Sequence, residues 1–173
     1  MVLMKPTAEL QQSHASFIAE FRDNGEELVP WVLDEVTDNF EEYVFWLASA
    51  SQGVNLAKGH VSHSTFWLAD GDNEIVGVAN IRHELTDALM KFGGHIGYGV
   101  RPSARRRGYA TEILRLCLVE ARLIGIGDVR VTCDQANIAS AKTIVKNGGV
   151  LDEEGYMAKH GHVVQRYWIR AVA

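Results

Sequence analysis

Apolar residues at Ala110, Ile113, Leu114, Cys117, Leu118, Ala121 and Ile124 follow the spacing of one helix face. Gly125 and Gly127 close that helix. Just before it lie an apolar run broken by glycines, His95-Ile96-Gly97-Tyr98-Gly99-Val100, and a turn at Arg101-Pro102-Ser103. The order is strand, loop, helix. Nearer the N-terminus, Val2-Leu3-Met4 predicts a first short strand. Leu10, His14, Phe17, Ile18 and Phe21 share a stripe, giving a helix capped by Thr7 and stopped by Asn24-Gly25. Phe40, Tyr43, Val44, Leu47 and Ala48 mark a second helix with Asp38 as its cap. His63 to Ala69 reads as a strand ending in the hairpin signal Asp70-Gly71-Asp72-Asn73. Glu74 to Glu84 alternates, with Ile75, Gly77, Ala79 and Ile81 facing one way and Asn80, Arg82 and Glu84 the other. Leu85 to Lys91 makes one or two helical turns. Asp128 to Cys133 is a strand placed to pair in parallel across the helical crossover. Asn137 to Lys146 is a helix, and Val150-Leu151 and Val163 to Ile169 are final strands. No repeat, linker or low-complexity tract divides the chain, so one domain over residues 1–173 is expected.

Composition narrows the function. The net charge of −5 makes any arginine cluster a local feature, which disfavours nucleic acid as a partner but suits a small anionic cofactor. Cys117 and Cys133 form no paired motif and read as small buried residues. No secretory signal or membrane-length apolar run is evident, so a cytoplasmic protein with no membrane partner is expected. His60, His63, His160 and His162 read as solvated loop histidines, with no metal expected.

The chemistry centres on Arg105-Arg106-Arg107-Gly108-Tyr109-Ala110. A helix start leaves backbone N–H groups without partners and carries the positive end of the macrodipole. Glycine there admits a ligand close to the backbone, and arginines add charge, which together suit a phosphate or pyrophosphate. A basic turn capping a surface helix is the other reading. Neither of the glycine-rich nucleotide motifs fits.

This R-x-x-G-x-A loop after a strand resembles the acyl-CoA pyrophosphate loop of the GNAT superfamily of N-acyltransferases. Asn137-Ile138-Ala139-Ser140-Ala141-Lys142-Thr143-Ile144-Val145-Lys146-Asn147-Gly148-Gly149 resembles a second family segment, and the element order matches over nearly the whole chain. Arg82-His83-Glu84-Leu85 and Gly93-Gly94-His95-Ile96-Gly97-Tyr98 resemble a bacterial subgroup. The resemblance implies an α+β fold: a mixed, mostly antiparallel central sheet with a splayed parallel strand pair and helices on both faces. It implies acetyl-CoA as co-substrate, its pantetheine lying between Gly94–Val100 and Val129–Cys133. Backbone groups of Tyr98, Gly99 and Val100 would pair with pantetheine. Amides of Arg105, Arg106, Arg107, Gly108, Tyr109 and Ala110 would take the pyrophosphate. Asn137 and Ser140 complete the cofactor set, with an N-cap as the alternative role for Asn137.

Amide transfer needs a neutral amine, donors for the oxyanion and a proton for the departing thiolate. The family's strand glutamate falls at Gly94, so His95 beside it and Glu84 on the neighbouring strand are the candidate bases. Each also has a plain structural reading. The family's tyrosine falls at Ile144, leaving Tyr98, then Ser140, as alternative donors, or no dedicated acid. The acceptor implied is a primary amine of a small molecule or peptide. Trp31 with Glu26, Glu27, Asp34 and Glu35 could wall its pocket, or form only a charged surface loop. An acyl-CoA-binding regulatory module is the competing function, and a homodimer is left open.

Overall fold

The computed structural model describes residues 1–158 and 161–171. His160 lies outside them. The order is β1 (Val2–Met4), α1 (Gln11–Asp23), α2 (Phe40–Ala50), β2 (His63–Ala69), β3 (Ile75–Arg82), α3 (Asp87–Phe92), β4 (Ile96–Val100), α4 (Tyr109–Ile124), β5 (Val129–Asp134), α5 (Ile138–Lys146), β6 (Gly149–Met157) and β7 (His162–Ile169). Strands β1-β2-β3-β4 form one antiparallel sheet and β5-β7-β6 another.

Both faces of the first sheet are covered. On one side Ala79, Ile81 and Ile96 pack with Ile113, Leu114 and Cys117 of α4. On the other, Trp67 and Val78 pack with Phe17, Phe21, Tyr43 and Leu47 of α1 and α2. The polar face expected on β3 is therefore absent at Asn80, which is fully buried and whose amide meets His63 Nδ1 at 2.9 Å and Thr65 Oγ1 at 3.0 Å. A polar residue survives there because the neighbouring strand supplies partners. Cys117 and Cys133 are buried free thiols.

Three further expectations need correction. The cap of α2 is Asn39, whose side chain accepts from Glu42 N–H, not Asp38. The strand expected only at Val150-Leu151 extends from Gly149 to Met157. Its acidic run is held by cations: Arg130 meets Asp152 and Glu153, each at 2.8 Å. Strand propensity could not show this, because tertiary pairing overrides it. Lastly, β4 and β5 form no parallel ladder. They touch at one isolated antiparallel bridge, Gly94 with Val131, where His95 N–H donates to Arg130 O at 2.7 Å. Gly94 has φ +65°, and a Cβ there would stand 2.6 Å from Arg130 O. That contact brings the two sheets together at the start of β4.

Candidate functional site

Two cavities border the first sheet, one along β4 and one at the start of β2 and the end of β3. The first, of about 480 Å³, is lined by Tyr98, Gly99 and Val100, by the loop and first turn of α4, and by the start of α5. Arg101 fixes the base of that loop. It is buried, donates through Nε to Ile75 O at 2.9 Å and through Nη2 to Ser13 O at 3.1 Å, and pairs with Glu20. The chain then crosses into left-handed backbone at Arg106 (φ 63°) and Gly108 (φ 87°). Gly108 is the N-cap of α4 and brings no side-chain cap. The first-turn amides of Tyr109, Ala110 and Thr111 thus lack intrahelical acceptors at the cavity wall. Nothing lies within 4 Å of a Cβ built on Gly108, so the space over these amides is open. A phosphate-bearing ligand fits this cradle.

The three loop arginines differ. Arg105 donates to Val100 O at 3.1 Å and grips Glu26 with Nη1 at 2.8 Å, its guanidinium over the Phe21 ring. The Arg105 bond holds the Glu26 carboxyl below its usual range. Arg106 lines the cavity, whereas Arg107 is exposed and does not. Across the cavity, Asn137 caps α5 by accepting from Ser140 N–H at 3.0 Å while also lining the wall. Tyr98 Oη and Ser140 Oγ lie 3.1 Å apart. Burial pushes the Tyr98 phenol up to about 12, against the Ser140 bond, so it stays protonated at neutral pH. Ile144 is fully buried in the core and does not line this cavity.

The two candidate bases are not brought to this wall. Glu84 is exposed beyond the end of β3 and lines neither cavity. The β3–β4 register puts Arg82, not Glu84, beside His95: Arg82 N–H donates to His95 O at 2.8 Å. His95 is a tie between β4 and β5, its Nδ1 accepting from Arg130 N–H at 2.9 Å. Burial, then the charge of Arg82, lowers its pKa to about 4.

The second cavity, of about 410 Å³, lies at the start of β2 and the end of β3 and is lined by Trp31, His60, His63, Arg82, Thr86 and Leu89 among others. Here the acidic wall expected around Trp31 is not formed. Glu26 and Glu27 line the first cavity, and Asp34 and Glu35 are exposed and line neither. His63 is not a loop residue but sits buried in β2, with its pKa lowered to about 4, chiefly by burial. Among the described residues no group of histidines, cysteines or carboxylates could hold a metal ion, and no helix is long and apolar enough to cross a membrane. Sequence reading missed Arg82 and the Glu26–Arg105 pair as site features. The only sequence signal for Arg82 was the Arg82-His83-Glu84-Leu85 run, whose meaning depends on the strand register, and nothing local pairs Glu26 with Arg105, 79 residues apart.

Residues 8–150 match the family of the acetyltransferase (GNAT) domain. No curated protein matches. Among solved structures, the chain resembles RimL, a ribosomal L7/L12 alpha-N-protein acetyltransferase in complex with coenzyme A. The two share 18% identity with a TM-score of 0.69, over 98% of this chain and 93% of that one. The microcin C7 self-immunity acetyltransferase MccE, in complex with acetyl-CoA and AMP, gives 16% identity and a TM-score of 0.66, over 97% and 91%. Spermidine N-acetyltransferase SpeG from Vibrio cholerae gives 14% and 0.65, over 98% and 95%. At these identities the likeness is one of fold.

Proposed function

The chain belongs to the GNAT acetyltransferase family, with acetyl-CoA as acetyl donor, and we propose that it acetylates a primary amine of a small molecule or peptide across the gap between β4 and β5. Acceptors of both sizes are named among the similar structures, spermidine for one and a ribosomal protein for another. The observation that carries the reading is the first cavity, where the open helix N-terminus at Gly108 and the Tyr98–Val100 edge of β4 face one space. In this reading β4 and β5 part after the Gly94–Val131 bridge, and the pantetheine arm runs along β4 as an added strand. Its amides pair with backbone of Tyr98, Gly99 and Val100. The pyrophosphate sits on the amides from Arg105 to Ala110 with Arg106 beside it. Arg107 adds charge from outside the cavity, and Asn137 and Ser140 close the far wall.

The amine lone pair attacks the thioester carbon, and a backbone N–H of β4 donates to the oxyanion that forms. Collapse of that intermediate breaks the C–S bond, and the thiolate takes a proton from the Tyr98–Ser140 pair or from water. The amine's own proton leaves through water. Gly94 has no side chain, Glu84 stands outside both cavities, and His95 already spends Nδ1 on Arg130. Orientation of the two substrates then supplies much of the rate.

The test is a thermal shift with CoA followed by a screen of amines for CoA release from acetyl-CoA. CoA should raise the melting temperature, and Gly108→Glu should abolish the rise, by filling the open space and adding like charge. An undiminished shift in that variant would overturn the cofactor placement.

A further inference from the structure

We propose that the cavity beside Trp31 receives the acceptor and that Arg82 binds an oxyanion on it, so that the substrate is an amine which also carries a carboxylate. The inference rests on the acetyl-transfer reading above and adds the chemical class of the acceptor.

Arg82 differs from the other enclosed arginines. Arg101, Arg130 and Arg166 are buried, and each pairs with a carboxylate. Arg82 has no ion pair among the described residues. Its Nη1 donates to Gly93 O at 3.3 Å and Gly94 O at 3.1 Å, while Nε and Nη2 bond to no described residue. Neither is among the sealed polar atoms without a partner, and the cavity that Arg82 lines is where they can look out. Burial draws its pKa below the usual arginine range, the sign of a cation short of compensation. A guanidinium with one edge fixed and another open is suited to a carboxylate, which accepts two parallel N–H bonds.

The rest of the wall agrees. No carboxylate lines the cavity, so a polyamine would find nothing to pair with its charges. Trp31, Val61 and Leu89 give apolar surface for a short carbon chain. The position also suits the reaction. Arg82 bonds the carbonyls of Gly93 and Gly94, and Gly94 is the bridge residue after which β4 and β5 stop pairing. An acceptor anchored at Arg82 would present its amine toward that gap, and the anion selects which amines remain there.

The experiment compares acetylation of glycine, β-alanine, γ-aminobutyrate, ε-aminocaproate and phenylalanine with that of their carboxamides, using acetyl-CoA and reading CoA release. The expected result is that at least one free acid exceeds its carboxamide in kcat/KM by about tenfold to a hundredfold, the worth of a charge-assisted bond. Arg82→Met should reduce that ratio to near one while the CoA thermal shift is kept. Should Arg82→Met fail to fold, the wild-type ratios decide, with thermal shifts by the N-acetylated acids against their amides in the presence of CoA as a second readout. Carboxamides or spermidine used as well as every free acid, or equal shifts by acetylated acids and amides, would overturn the proposal. Absence of any CoA shift in the wild type would instead strike the cofactor reading on which it rests.

Discussion

The two cavities beside the first sheet are built differently. The one under Gly108 takes about half of its wall from a single run, Tyr98 to Thr111, and is completed by Phe21 to Val29 and the start of α5. The one beside Trp31 is assembled from four separate places: Trp31, residues 59–63, Arg82 at the end of β3, and the Thr86–Leu89 turn. Their charges are also arranged differently. In the first, Arg105 is countered by Glu26 within the wall, and in the second Arg82 has no counter-charge among the lining residues. A binding surface made chiefly from one segment can be common to many proteins, because a shared ligand fixes it. A surface assembled from distant segments can change residue by residue. In the proposed reading, the donor of acetyl groups and its acceptor impose those two demands on neighbouring parts of the first sheet.

The largest effect that would break this comparison is at Gly94, where the two sheets meet. Gly94→Ala puts a Cβ 2.6 Å from Arg130 O on a residue at φ +65°. Backbone strain and overlap with a main-chain atom add, and a loss of about 3 kcal/mol or more is expected. Urea unfolding measures it. Gly108→Ala also has a positive φ but meets nothing within 4 Å, so it should cost only about 1 kcal/mol. Equal costs at the two glycines would mean that the Gly94–Arg130 contact does not hold the sheets together.

Acid separates the regions next. No histidine lines the cavity under Gly108, whereas His63 lines the other and His95 lies at the junction of the sheets, both lowered to about 4 mainly by burial. A folded pKa below the unfolded value of about 6.5 means that the unfolded chain takes up protons first as pH falls. Stability is therefore fully present above that value and declines between roughly pH 6.5 and 4. His14, packed against Phe40, Tyr43 and Trp67 and also lowered to about 4, adds to the same slope. Each histidine should contribute about 1–2 kcal/mol of loss by pH 5. Denaturant midpoints that stay constant from pH 7 to pH 5 would contradict these burials. His95→Gln, which can still accept from Arg130 N–H, should flatten part of the slope.

The same contrast explains what the sequence made legible. The strand–loop–helix unit could be read because its signals are local: a glycine N-cap, a basic turn and an apolar stripe. The Asn137 cap could be read, since capping depends on residues three apart. Arg82 could not, because its surroundings depend on the β3–β4 register and on where α3 returns. Glu84 was expected near Gly94 by extending the alternation of β3. The strand ends at Arg82, however, and His83 N–H turns to Ser62 O, leaving Glu84 exposed. The Gly94 position, read as a lost base, has a packing reason that only the contact with Arg130 reveals.

A smaller effect is expected within the cofactor cavity. Tyr98 and Ser140 were alternative proton donors in the sequence, and the fold places their hydroxyls 3.1 Å apart. If this pair supplies the thiolate's proton, either hydroxyl can act with the other removed, and a thiolate leaves acceptably without an acid. Tyr98→Phe and Ser140→Ala should each reduce kcat by less than about tenfold, roughly 1.4 kcal/mol of barrier. A loss of several hundredfold in Tyr98→Phe, with CoA affinity unchanged, would make that phenol the dedicated acid.

The smallest effect tests the charge contrast itself. Glu26 holds both terminal nitrogens of Arg105, and both residues line the cavity assigned to CoA. If the pyrophosphate sits on the Arg105–Ala110 amides, the Glu26 carboxylate opposes it and withholds a guanidinium from it. Glu26→Gln should then lower the Kd for CoA by about two- to fivefold at low salt, in the range of an exposed ion pair. The gain should shrink as salt screens the phosphates. Arg105→Gln should weaken CoA by a similar factor, and the double variant should fall between. Weaker CoA binding in Glu26→Gln would reverse the assignment of Glu26, making it the group that holds Arg105 over Phe21 in a binding-ready position. Isothermal titration at two salt concentrations separates these outcomes, because positioning survives added salt and repulsion does not.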